Sequence, residues 1–122
     1  MIRLAPLLAA LAGPALAGPP VVERVEAARG ADGWRFDVTV RHADEGWDHY
    51  ADGWEVLGPD GARLGHRPLA HPHVDEQPFT RSLGGVAIPD GVGAVTVRAH
   101  DSVHGWGEAV MVPLPAPPPR AD

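Results

Sequence analysis

The residues of this chain best suited to chemistry are seven histidines and the carboxylates that lie near them in sequence. Neutral imidazole is a common ligand for Zn²⁺, Cu²⁺ and Fe²⁺, and carboxylates complement it. His71 and His73 flank Pro72, and on an extended backbone that H-x-H spacing puts both rings on one side. His42 and His49 bracket the polar stretch HADEGWDH, and His100, Asp101 and His104 share a second one. Other chemistries find little support. There is no cysteine to act as a thiol nucleophile, Ser82 and Ser102 lack a nucleophile-elbow context, and no glycine loop is built to cradle phosphate. Catalysis is not expected; binding is.

The elements that position these residues read as strands. Trp34, Phe36, Val38 and Val40 alternate with Arg35, Asp37, Thr39 and Arg41, the period-2 pattern of a half-buried strand. His42 continues the apolar phase, which places it at the lip of the core. Val95, Val97 and Ala99 alternate with Thr96, Arg98 and His100, and Asp101 follows in the inward phase. After the polar break from Asp101 to Gly107, Val110, Val112 and Leu114 alternate again, so the two runs predict an antiparallel hairpin. Further strands are predicted over 21–29, 50–57, 62–69 and 79–83, separated by turns such as Gly58-Pro59-Asp60-Gly61. Arg81 shares the phase of Phe79 and Leu83, which predicts a bulge there.

Short strands with regular turn signals and no helical period predict an all-β, antiparallel, seven-stranded sandwich. With Trp54 in the third strand and Ile88-Pro89-Asp90-Gly91 leading into the sixth, it resembles the immunoglobulin or fibronectin type III architecture. The resemblance implies strands A, B, C, C′, E, F and G in chain order, with alternate loops at opposite ends. The loops at 42–49, 70–78 and 100–107 then share one pole. That pole receives six histidines, His42, His49, His71, His73, His100 and His104, while His66 lies inside a strand. The same topology sets strands B and F face to face, so His42 and Asp101 are expected to meet across the core as imidazole and orienting carboxylate.

Composition bounds the partners. The chain has 122 residues, 10 basic and 16 acidic, for a net charge of −6, which disfavours nucleic acid and anionic lipid. All the basic residues are arginine, which fits codon bias in a GC-rich genome. Arg3, the apolar run Leu4 to Leu16 and the Ala15-Leu16-Ala17 cleavage signal read as a secretory signal peptide over 1–17. The expected organisation is therefore a signal peptide (1–17), a β-sandwich (18–114) and a proline-rich disordered tail (115–122). No later stretch is long or apolar enough to span a bilayer. With no cysteine for lipid attachment, the expected location is periplasmic or secreted.

The leading reading is an exported, non-catalytic binding module whose histidine-rich pole takes Zn or Cu. The expected ligands are His71, His73, His104 and His42, supported by Asp101, His100 and Glu76; His66 is expected to be dispensable to that site. The alternative is a structural or interaction domain that contacts another envelope protein and binds no metal. A minor alternative comes from Gly65, His71, His73, Glu76 and Gly84, whose order is similar to the first metal motif of the cupins. Here the glutamate follows the second histidine too closely, and the second cupin motif has no match.

Overall fold

The computed structural model describes residues 18–116. The expected signal peptide (1–17) and the tail from 117 lie outside the described residues. Eight strands run in chain order: β1 (Val21–Gly30), β2 (Gly33–Arg41), β3 (Ala51–Leu57), β4 (Arg63–Pro68), β5 (Phe79–Val86), β6 (Ala94–Asp101), β7 (Gly105–Trp106) and β8 (Val110–Pro113). No helix occurs among the described residues, and so none is long and apolar enough to cross a membrane. Strands β1-β2-β5 form one sheet. The other has the order β4-β3-β6-β7, with β8 also paired to β6. Every pairing is antiparallel.

The alternation seen in the sequence is the alternation of burial. On β2, Trp34, Phe36, Val38 and Val40 are buried; on β6, Val95, Val97 and Ala99 are. These rows join Trp54 and Val56 of β3 and Phe79 and Val86 of β5 in one core fed by both sheets. With no disulfide, removal of this apolar surface from water must carry the fold. The inward rows do not stop at the last aliphatic residue. His42 ends the β2 row and Asp101 ends the β6 row, and both are buried.

Three details differ from the sequence reading. The stretch after Asp101 holds a two-residue strand, β7, with Trp106 opposite His100 and Gly105 opposite Asp101. Two residues are too short to leave a periodic signal. The irregularity expected near Arg81 lies further along β5, where Trp34 and Phe36 face Val86 and Leu83 and the extra residue falls in Gly84-Gly85. Arg81 keeps the inward phase, opposite Val38, and turns its guanidinium to His73 and Glu76. Finally, His100 belongs to β6 rather than to a loop. Alternation sends it to the face opposite Asp101, where its Nδ1 lies 2.5 Å from Asp52 Oδ1.

Candidate metal centre

Asp101 organises the pole. Its Oδ1 accepts the backbone amides of Val103 (2.8 Å) and His104, an Asx turn in which the carboxylate caps its own loop. Gly105, at φ 83°, then lets the chain reverse into β7. The turn folds His104 back over the carboxylate, with its Nδ1 3.0 Å from Asp101 Oδ2. The same oxygen lies 3.0 Å from His42 Nε2 and 3.1 Å from His49 Nε2. His49 Nε2 is also 3.2 Å from His104 Nδ1. Three imidazole nitrogens, from the end of β2, the β2–β3 loop and the β6–β7 turn, thus converge on one buried oxygen.

The outer nitrogens of two of these rings are held as well. His42 Nδ1 lies 2.5 Å from Asp44 Oδ1, and His49 Nδ1 lies 2.9 Å from Glu45 Oε1. The β2–β3 loop makes this possible through a tight turn. His49 N donates to Gly46 O, Glu45 N donates to His49 O, and Gly46 takes a φ of 98°. Asp44 also joins the loops, because Oδ1 accepts the amide of Ala51 (3.0 Å) and Oδ2 accepts the amide of His73 (2.7 Å).

Burial disfavours the charged form of Asp101, yet the His104 and Val103 amides and the His104 and His49 imidazoles outweigh it. They hold the carboxyl well below the usual carboxylate range. Burial also opposes charge on His49, but Asp101 and Glu45 prevail and push that imidazole up. Proton counting makes the tension explicit. A neutral imidazole donates through one nitrogen only, whereas both nitrogens of His42 and of His49 face carboxylates. A cation held between the rings would take the inward lone pairs while the outer N–H groups donate to Asp44 and Glu45.

The sequence placed four ligands at the pole, and the described geometry brings two of them, His42 and His104, to Asp101. His49 joins them; His42, His49 and Asp101 offer ligand atoms all within 4.8 Å of one another. His49 sits in an irregular loop with no phase to betray its direction, and its only sequence cue is Glu45 four residues before it. His71 and His73 pair with each other, ring centres 4.8 Å apart, and neither hydrogen-bonds to the Asp101 group. The His73 ring stacks on Phe79 at 4.0 Å, and Arg81 Nη2 lies 3.0 Å from its Nε2, occupying the lone pair a metal would need there. Burial and the Arg81 guanidinium push its pKa down. Glu76 is exposed and paired with Arg81 (3.1 Å). Because His71 and His73 lie in the β4–β5 connection, the cupin-like spacing does not align them with Glu76 along one strand.

The described residues thus define an antiparallel all-β protein with a buried His/Asp cluster at one end. Over 77 residues, 63% of this chain, it is 48% identical to a protein of Halomicrobium mukohataei named "Putative lipoprotein". The matched stretch spans 37% of that relative's length. No protein-family model matches the chain, and no solved structure matches it.

Proposed function

We propose that this protein is an exported, non-catalytic binding module that holds a divalent transition-metal ion, Zn²⁺ or Cu²⁺, through His42, His49, His104 and Asp101. The observation that carries the reading is the convergence of three imidazole nitrogens on Asp101 Oδ2 at 3.0–3.1 Å. Ligand atoms around a tetrahedral ion with bonds of about 2.0–2.1 Å lie about 3.3 Å apart. An octahedral set with the same bonds has neighbouring ligands about 2.9 Å apart. The contacts of His42 and His49 with Asp101 and of His49 with His104, at 3.0, 3.1 and 3.2 Å, fall between these edges, and the ligand atoms of His42, His49 and Asp101 all lie within 4.8 Å of one another. Asp44 and Glu45 supply the outer hydrogen bonds that fix ligand tautomers in metal sites. With no cysteine, the donor set is nitrogen and oxygen, which suits Zn²⁺ and Cu²⁺ better than Cu⁺.

The scaffold in this reading is an immunoglobulin-like sandwich. The sheet β1-β2-β5 takes the part of A-B-E, and β4-β3-β6-β8 that of C′-C-F-G, with β7 as an addition. Export is supported by the signal-peptide pattern and by the name of the Halomicrobium relative, which points to the cell envelope. The test is metal analysis of untagged full-length protein, followed by titration with Zn²⁺ and Cu²⁺. One tightly bound equivalent that is weakened by His49→Ala supports the reading; no saturable binding removes it.

A second reading, an interaction domain of the envelope without metal, is favoured by one observation. Each pole loop exposes one large apolar side chain: Trp47, Val74 and Val103 are 67%, 54% and 59% exposed. Pull-down from an envelope extract with wild-type protein and a Trp47→Ala variant tests it.

A further inference from the structure

A separate group of side chains lies on the outer face of the larger sheet. Gly53 of β3 stands between β4 and β6, in register with Pro68 on one side and His100 on the other; the neighbouring outward residue Glu55 is in register with His66. Because Gly53 has no side chain, the His66 ring lies directly over it. A Cβ at position 53 would sit 3.1 Å from His66 Nε2. From the other side His100 presents Nδ1 to Asp52 Oδ1 at 2.5 Å. Asp52 shares that face because the β3–β6 register slips between Ala51 and Gly53. Trp106 lies edge-on to His100, 4.8 Å between ring centres. Asp52, Gly53, His66, His100 and Trp106 line one hollow of about 240 Å³.

The chemistry of the hollow follows from its hydrogen bonds. Asp52 Oδ1 accepts a hydrogen bond from His100 Nδ1–H, which leaves Nε2 as a lone-pair donor, the arrangement that raises ligand basicity in metal sites. The ring nitrogens of His66 make no hydrogen bond among the described residues, so its Nε2 over Gly53 is free to ligate. The nearby Arg98 does not oppose a cation at full strength, since its Nε is 2.6 Å from Glu55 Oε2. We propose that this hollow is a second, weaker site for a divalent transition-metal ion, held by Nε2 of His66 and Nε2 of His100, with Asp52 fixing the His100 tautomer. Two protein ligands leave the remaining positions to water, so the ion exchanges freely. Trp106, beside His100, reports on it.

The experiment uses Cu²⁺ on the full chain, with binding read by calorimetry and by tryptophan fluorescence. In a His49→Ala/His104→Ala background, which disables the pole, one equivalent should remain and quench the fluorescence. Adding His66→Ala should weaken it at least tenfold. Gly53→Ala should do the same by filling the floor of the hollow, and Trp106→Phe should abolish most of the quenching while leaving the heat of binding. No residual equivalent, or one unchanged by both His66→Ala and Gly53→Ala, overturns the proposal. Should the background variant fail to fold, single variants of the wild type decide. His66→Ala must remove one weak equivalent and spare the tight one, and loss of neither equivalent overturns the second site. An unaltered tight equivalent in His49→Ala would overturn the pole site alone.

Discussion

His42 Nε2 stands 3.0 Å from Asp101 Oδ2, joining the last inward residue of one sheet to the last inward residue of the other. The contact closes the core with polar groups where aliphatic packing ends. Buried charge is tolerated there because both oxygens of Asp44 and of Asp101 have hydrogen-bond partners.

Asp101 should accordingly be among the most sensitive positions for stability. Its replacement by alanine removes the cap on the β6–β7 turn and leaves three imidazoles without their shared partner. Urea unfolding should show a loss of about 2–4 kcal/mol for Asp101→Ala. Asp101→Asn keeps an acceptor for the Val103 and His104 amides and should lose less. Equal losses would mean that the turn contributes nothing.

Core substitutions should separate cleanly from surface ones. Trp34→Ala opens a cavity in the shared core and should cost about 3–5 kcal/mol. Arg35, on the opposite face of the same strand, bonds Asp37 and Ser82 in exposed positions. Arg35→Ala should cost under about 1 kcal/mol. A comparable cost at both positions would contradict the phase assigned to β2.

Glu55 governs part of the acid limb of stability. It is buried, which disfavours its charge, but Arg63 at 2.7 Å and Arg98 at 2.6 Å outweigh burial and hold its pKa below the ordinary 4.5. A depressed folded pKa contributes stability that is present above the unfolded value and lost as pH falls through the folded one. Wild-type stability should therefore decline below about pH 4.5, and Glu55→Gln should flatten that part of the decline while lowering stability at pH 7. An unchanged acid limb in Glu55→Gln would refute this role.

How far the molecule is legible in its sequence depends on periodicity. β2 and β6 are readable because alternation survives to their ends, and the same phase carries His42 and Asp101 inward to meet. Position within a loop is another matter. His49 points to Asp101 because Gly46 adopts a positive φ and Glu45 catches the outer nitrogen, and neither leaves a periodic trace. His71 and His73 carry the spacing most suggestive of ligands, yet the Phe79 ring and the Arg81 guanidinium engage His73 from within the fold. Arg81 was visible as an anomaly of phase, whereas its partner across the loop was not. His100 reads as part of the pole loop, but β6 runs on to Asp101 and keeps His100 on the outward phase of Thr96 and Arg98, away from the pole.

Titrating Zn²⁺ into wild-type protein, His49→Ala and His71→Ala at one pH near neutrality, and following the tightest binding event, distinguishes a pole site of His42, His49, His104 and Asp101 from one that includes His71. His49→Ala should weaken that event about 100-fold or more, as loss of a direct ligand should exceed the 10–100-fold typical of losing a hydrogen-bond partner of a ligand. His71→Ala, at an exposed ring bonded to Pro72 O, should leave it unchanged. Weakening by His71→Ala equal to that by His49→Ala, or no saturable event in the wild type, would rule out a metal site built on His49.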